Sequence, residues 1–292
     1  MLEITHVISA IVIATEPAPP GAGRGGAAMA AGTAAGRNSA PRIDLNSDVG
    51  ESFGNWRIGD DTAILGTVSS ANIACGFHAG DPLTIQATAR TAAENDVAIG
   101  AHIGYRDLAG FGRRHLECSY AELAADVRYQ LGALQAMAGA AGARIRYVKP
   151  HGALYHSMIG HEVHSRAVID TIASFGPELP VLLLPGSIAL GHAAEAGLRG
   201  VAEAFADRNY NPDGTLVSRR EPDAVLHETG QVVENMLRLA QDRQIIARDG
   251  TRVPVEAESI CVHGDTAGAV EMAHAVRTAL EEAGVEIRSF VA

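Results

Sequence analysis

The stretch Ile145-Arg146-Tyr147-Val148-Lys149-Pro150-His151-Gly152-Ala153-Leu154-Tyr155-His156 begins as an apolar, strand-like run and breaks at Pro150 into a polar turn. The turn sets an ammonium beside an imidazole. Lys149 is the single lysine of the chain, which uses arginine at every other basic position except histidine. The two cations differ at a reacting centre: lysine is a compact point charge with three rotatable donors and a pKa that burial moves. A strand that ends in residues able to do chemistry is the pattern to follow outward.

The pattern recurs. From Arg42 onward, short β-like runs alternate with helical signals, which predicts a parallel sheet with crossover helices. Strands are expected at residues 43–46, 68–75, 97–102, 145–149, 181–184, 201–205 and 259–263, with a last run at 285–290 closing or edging the sheet. Asp81-Pro82 reads as a helix cap followed by proline at the first helical position, and Ser119-X-X-Glu122 as a capping box. Met272, Val276 and Leu280 repeat every four residues before a stop at Gly284. Seven or eight such units over about 250 residues is the size of a closed barrel, with a doubly wound open sheet as the competitor. The strand ends favour the barrel: Asn46 and Asp48, Asn72 and His78, His102, Lys149 and His151, Glu203 and Asp207, His263 and Asp265. Only a barrel brings all of them to one face. The expected fold class is therefore α/β, a (β/α) barrel of seven or eight units, forming one catalytic domain over residues 42–292.

Composition narrows the partners. A net charge of −11, with no cluster of basic residues interleaved with aromatics, argues against nucleic acid and anionic membranes. Three distant cysteines (Cys75, Cys118, Cys261) fit a reducing cytoplasm better than a disulfide framework. Residues 1–41 read as a disordered or artefactual extension, rich in Ala, Gly and Pro, with Met29 as an alternative start. Their apolar run is too short to span a bilayer and lacks a basic leader.

Five motifs carry chemistry. In DLNSDVGE (44–51), Asp44, Asn46 and Asp48 share one side of a strand, and Glu51 follows. Carboxylates buried there must meet cations, donors or protons. In ACGFHAGDP (74–82), glycines allow His78 a close approach to a ligand, with Asp81 as the helix cap. In GAHIGYRDLAGFGRR (100–114), His102 precedes a glycine-rich loop that ends in Arg113 and Arg114. That pair either takes a carboxylate or phosphate by bidentate bonds or carries surface charge. EAFADRNY (203–210) offers Asp207 and Arg208, and CVHGD (261–265) offers His263 and Asp265. A P-loop is excluded, because the only lysine lies elsewhere, and neither a Gly-X-Ser-X-Gly elbow nor His-Glu-X-X-His occurs.

Taken together with VKPHGALYH (148–156), these segments, in this order, resemble the LamB/YcsF family. The resemblance implies a β/α barrel akin to the polysaccharide deacetylases. It implies cleavage of 5-oxo-L-proline to L-glutamate coupled to ATP hydrolysis, with ATP and its Mg as co-substrate, in a 5-oxoprolinase complex with subunits B and C. On this reading Asp48, Glu51, His78, His102, Lys149, His151, Asp207, His263 and Asp265 are the catalytic candidates, with Asn46, Asn72, Arg113, Arg114 and Arg208 as substrate contacts. The lactam oxygen would be phosphorylated, water would attack with Asp48, His78 or His151 as base, and Lys149 would stabilise the developing charge. The chain departs from the family at His102-Ile103-Gly104-Tyr105-Arg106, where two prolines are usual, which lowers the expected stiffness of the loop. Two other readings stand beside it. One is a stand-alone metal-dependent hydrolase or deacetylase using His78, His102, His151 and Asp48; the other is a non-catalytic binding protein within a hydrolase complex.

Overall fold

The computed structural model of the protein describes residues 41–264 and 268–291. The reading of residues 1–41 as an extension, Pro41 apart, and that of Asp265 as a site residue lie outside the described residues. The elements run in chain order as β1 (Arg42–Val49), α1 (Asp61–Leu65), β2 (Ser70–Ala74), α2 (Pro82–Glu94), β3 (Ala98–Ile103), α3 (Tyr120–Ala140), β4 (Tyr147–Pro150) and α4 (Gly152–Ser157). They continue as α5 (Glu162–Phe175), β5 (Val181–Leu183), α6 (Ile188–Glu195), β6 (Gly200–Phe205), α7 (Thr229–Asp242), β7 (Gln244–Ile246), β8 (Arg252–Pro254), β9 (Ser259–Cys261), α8 (Ala269–Glu282) and β10 (Glu286–Ile287).

The sheet closes on itself. Parallel pairings run from β1 through β2, β3, β4, β5 and β6 to β9, and β9 pairs back onto β1 with Asp44 opposite Ser259 and Asn46 opposite Cys261. The count is seven, at the lower edge of the expected seven or eight. The eighth run, β10, pairs only with the first residues of β1, Arg42 and Ile43, and so edges the barrel without entering it. Each barrel strand is covered on both faces, as parallel strands require: every residue of β1 after Arg42 is buried.

The helices form where their caps and apolar faces dictate. The Asp81 carboxylate accepts from the Leu83 and Thr84 amides at the start of α2, ahead of Pro82. The Ser119–Glu122 capping box is formed at α3, which buries Leu123, Val127, Leu131 and Leu134. One unit departs from the alternation. Between β6 and β9 the chain makes a long excursion holding α7 and the antiparallel β7–β8 hairpin, which the run of strand and helix signals does not predict. Its turn signal is Asp249-Gly250, with Gly250 at φ +89°.

Candidate active site

The barrel lumen is polar, and its hydrogen bonds are arranged in layers that follow the strand pleat. At the bottom, Asp44 accepts from Ser69 and Ser70 at 2.7 and 2.6 Å and from Ser259. Burial pushes its carboxyl up to about 6, against the pull of these donors. One pleat higher, Asn46 donates to Ser259 Oγ at 2.7 Å, and its Oδ1 accepts from Asn72 at 2.7 Å. The Tyr147 hydroxyl donates to Asn72 Oδ1 at 2.6 Å. Its ring fills the lumen beside Gly100, where a Cβ would sit 2.2 Å from the ring, so that position accepts only glycine.

Lys149 ties this layer to the next. Its ammonium lies 3.2 Å from both Asn46 Oδ1 and Asp48 Oδ1, 3.1 Å from Glu203 Oε2 and 3.0 Å from Cys261 Sγ. Four acceptors thus surround three protons, and the side chain is buried. Burial alone would lower its pKa, but Asp48 and Glu203 hold it well above the usual lysine value. Burial likewise works to raise Asp48, yet His102 and Lys149 hold it well below the carboxylate range. Lys149 is therefore a fixed positive charge at neutral pH.

At the carboxyl ends of the strands, a carboxylate–imidazole cluster closes the lumen. His102 Nε2 lies 3.2 Å from Asp48 Oδ2 and 2.9 Å from His151 Nδ1. Glu51 Oε1 lies 3.4 Å from His151 Nδ1, 3.9 Å from His102 Nε2 and 3.2 Å from His78 Nε2. The ring of His78 stacks on that of His151, with centroids 3.8 Å apart and planes 7° from parallel. Burial first, then His102, keeps His78 well below the usual histidine range; burial, His78 and His102 do the same for His151. Two backbone carbonyls orient the rings: His102 Nδ1 donates to Lys149 O at 3.1 Å, and His151 Nε2 donates to Phe111 O at 2.9 Å.

Above the cluster opens a cavity of about 590 Å³. Asp48, Glu51, His102, Lys149 and His151 line it, and Arg113, Arg208, Arg219, Arg220 and His263 stand around it. His78 lies behind His151 and is not on the wall, and Asn46 and Asn72 sit a pleat below it, inside the lumen network. Arg208 is on the wall, but its guanidinium donates to the carbonyls of Ala224 and Val217. His263 Nδ1 donates to Asp207 at 2.8 Å, and its Nε2 accepts from Arg219 at 3.0 Å. Arg114 is not on the wall; it pairs with Asp107 at the base of the loop. Glu203, Cys261 and Tyr147 belong to the lumen network without having been named as site residues from the sequence. Glu203 stands at a strand end, and Tyr147 alternates with Lys149 on β4; that alternation was the available signal.

Residues 43–292 match the description of the LamB/YcsF family. The chain belongs to the LamB/YcsF family. Among its LamB/YcsF relatives, a protein from Kocuria rhizophila that bears the name of the 5-oxoprolinase A subunit is 61% identical over 248 residues, 85% of this chain and 98% of that protein. A protein of the same name from Paracidovorax citrulli is 58% identical, covering 85% of this chain and 99% of the relative. Among solved structures, the lactam utilization protein from Thermus thermophilus is 44% identical with a TM-score of 0.81, covering 85% of this chain and all of that one. This LamB/YcsF chain shares that barrel fold.

Proposed function

We propose that this chain is the A subunit of a 5-oxoprolinase and opens the five-membered lactam of 5-oxo-L-proline to L-glutamate, in a complex with B and C subunits that hydrolyses ATP. The relatives bearing that name, matched over nearly their whole length, support the substrate. One observation carries the chemistry: a buried carboxylate–imidazole cluster opens onto a cavity ringed by arginines, in a chain whose net charge is −11. Such a rim favours an anion, and 5-oxoproline carries a carboxylate.

A lactam carbonyl is a poor electrophile. In this reading ATP, as its Mg complex, transfers its γ-phosphoryl group to the lactam oxygen, releasing ADP. Water adds to the activated carbon and gives up a proton to Asp48, a carboxylate of the cluster that faces the cavity. The ring C–N bond then breaks, and the nitrogen takes that proton as an amine leaves the carbon. A second water releases phosphate and leaves the γ-carboxylate of glutamate. Lys149, with all its protons engaged, acts through its fixed charge, holding Asp48 ionised and offsetting negative charge at the cavity floor. The reading places the chain in the cytoplasm, where ATP and reduced thiols coexist; its three cysteines are free. No helix among the described residues is long and apolar enough to cross a membrane.

The test is co-expression with the B and C subunits and assay of glutamate release from 5-oxoproline with and without ATP. The expected result is glutamate formed together with ADP, only when ATP is present, and lost in Asp48→Ala and His151→Ala complexes. An assembled complex that turns over equally well with both alanines would give this chain a binding role instead.

A further inference from the structure

Two imidazole nitrogens meet in this cluster, each the one left over once the other nitrogen of its ring is spent on a backbone carbonyl. His102 Nδ1 is committed as a donor to Lys149 O, and His151 Nε2 as a donor to Phe111 O, since a carbonyl can only accept. In the neutral rings, lone pairs on His102 Nε2 and His151 Nδ1 therefore point at each other across 2.9 Å. Glu51 Oε1, another electron-pair donor, completes a triangle with them at 3.4 and 3.9 Å. Three electron-pair donors turned toward one point are held together by a proton or by a metal ion between them, and the geometry of the triangle fits the metal ion.

The triangle has the size of a metal site. The circle through its three atoms has a radius of about 2.0 Å, the length of a zinc–imidazole or zinc–carboxylate bond. The rings of His102 and His151 stand 88° apart, so their planes can share a line on which one ion lies in both. His78 does not qualify as a fourth ligand: its plane is parallel to that of His151, and one ion cannot lie in two stacked planes. Its Nε2 instead stands 3.2 Å from Glu51 Oε1 and orients that carboxylate. Backbone carbonyls behind both ligating imidazoles, and a histidine behind the carboxylate, are the outer support that metal ligands require. All four side chains are buried, and the triangle faces the cavity through Glu51, His102 and His151.

We infer that Glu51 Oε1, His102 Nε2 and His151 Nδ1 bind one divalent first-row metal ion, zinc by ligand type, with its remaining coordination position open to the cavity. Two imidazoles and one carboxylate are the donor set of hydrolytic zinc sites that keep a water. Asp48, 3.2 Å from His102 Nε2, stands beside the ion and paired with Lys149; it is not among the three ligands. Metal binding is a property of the isolated chain and does not rest on the lactam reading.

The experiment uses the full chain alone, without 5-oxoproline, ATP or partner subunits. The protein is stripped with a chelator, and Zn²⁺ uptake is measured by calorimetry and elemental analysis. Co²⁺ is then added and followed by its visible d–d spectrum. The expected result is about one equivalent bound, with a cobalt spectrum free of thiolate charge transfer and intense enough for low coordination. His102→Ala and His151→Ala should each weaken binding at least about a hundredfold, and His78→Gln about ten- to a hundredfold, as expected when a group that orients a ligand is lost. His164→Gln, in the separate histidine cluster near Tyr105, should leave it unchanged. Circular dichroism separates loss of a ligand from loss of the fold. If a ligand variant does not fold, the parent's own stoichiometry and cobalt spectrum still decide. Uptake below about a tenth of an equivalent by the stripped parent would overturn the inference. So would unaltered binding by folded His151→Ala. Metal uptake by a chain whose complex leaves 5-oxoproline untouched would uphold this site and reject the lactam reading.

Discussion

Lys149 shows why one residue in this chain cannot be an arginine. Its Nζ fits among Asn46, Asp48, Glu203 and Cys261 in a closed lumen, where a planar guanidinium would need more room and a different donor geometry. Removing the charge leaves Asp48 and Glu203 buried without their counter-ion. Lys149→Met is expected to lose about 3–5 kcal/mol of stability and at least a hundredfold in turnover, and Lys149→Arg to restore neither. Urea denaturation and a glutamate-release assay check this; a Met variant as stable as the parent would refute it. Asp44, at the other end of the lumen, gives a pH signature. Its folded pKa, about 6, lies above the unfolded value of 3.8, so the folded state holds the proton more tightly. The stabilisation is full below about pH 4 and is lost as pH rises through 6, a swing on the order of 3 kcal/mol. Asp44→Asn does not titrate. The stability of the parent relative to this variant should therefore fall by roughly that amount between pH 4 and pH 7.

Among the elements, the loop between β3 and α3 does more than cover the cavity. It carries a 3₁₀ turn at Leu108–Gly110 capped by Asp107, then Phe111 and Gly112 in the left-handed region. Phe111 O receives the His151 Nε2 proton, so the loop backbone sets which nitrogen of His151 faces the cluster. Gly112, at φ +61°, is where the loop passes closest: a Cβ there would lie 2.7 Å from His78 Cβ and 2.8 Å from His151 Cδ2. Gly112→Ala should cost about 1–3 kcal/mol through backbone strain and displaced rings. It should also lower kcat more than it raises KM, because it misplaces His151 and leaves the arginine rim intact. Steady-state kinetics check the split, and a change confined to KM would count against it. The loop was legible as a glycine-rich segment, but its role was not: a backbone carbonyl leaves no mark on a list of side chains. The β7–β8 hairpin escaped for a different reason. Its strands, Gln244–Ile246 and Arg252–Pro254, are too short for alternation to stand out.

Over the whole molecule, charge is segregated. An acidic chain gathers Arg113, Arg208, Arg219 and Arg220 around one cavity, the last three from the excursion after β6. Attraction of an anionic substrate by this rim is screened by salt. KM for 5-oxoproline in the complex should rise several-fold between roughly 0.05 and 0.5 M NaCl while kcat changes little. Arg219→Ala combined with Arg220→Ala should flatten that dependence, and an unchanged salt slope would remove the rim from substrate capture. The alternation of β-like runs with capped helices was enough to determine the parallel α/β fold, because periodicity and caps are local and each is written in a few neighbouring residues. Polar strand ends likewise announced Asp48, His102, Lys149 and His151, since charged groups at buried positions are too unfavourable to be incidental. Only the tertiary structure decided that seven strands close the barrel and that β10 stays at its edge. It alone placed Asn46, Asn72 and His78 behind the cavity wall, and turned His102 Nε2 and His151 Nδ1 toward Glu51. Those outcomes depend on registers between strands far apart in the chain and on hydrogen bonds to backbone carbonyls, and neither is encoded in any single stretch of residues.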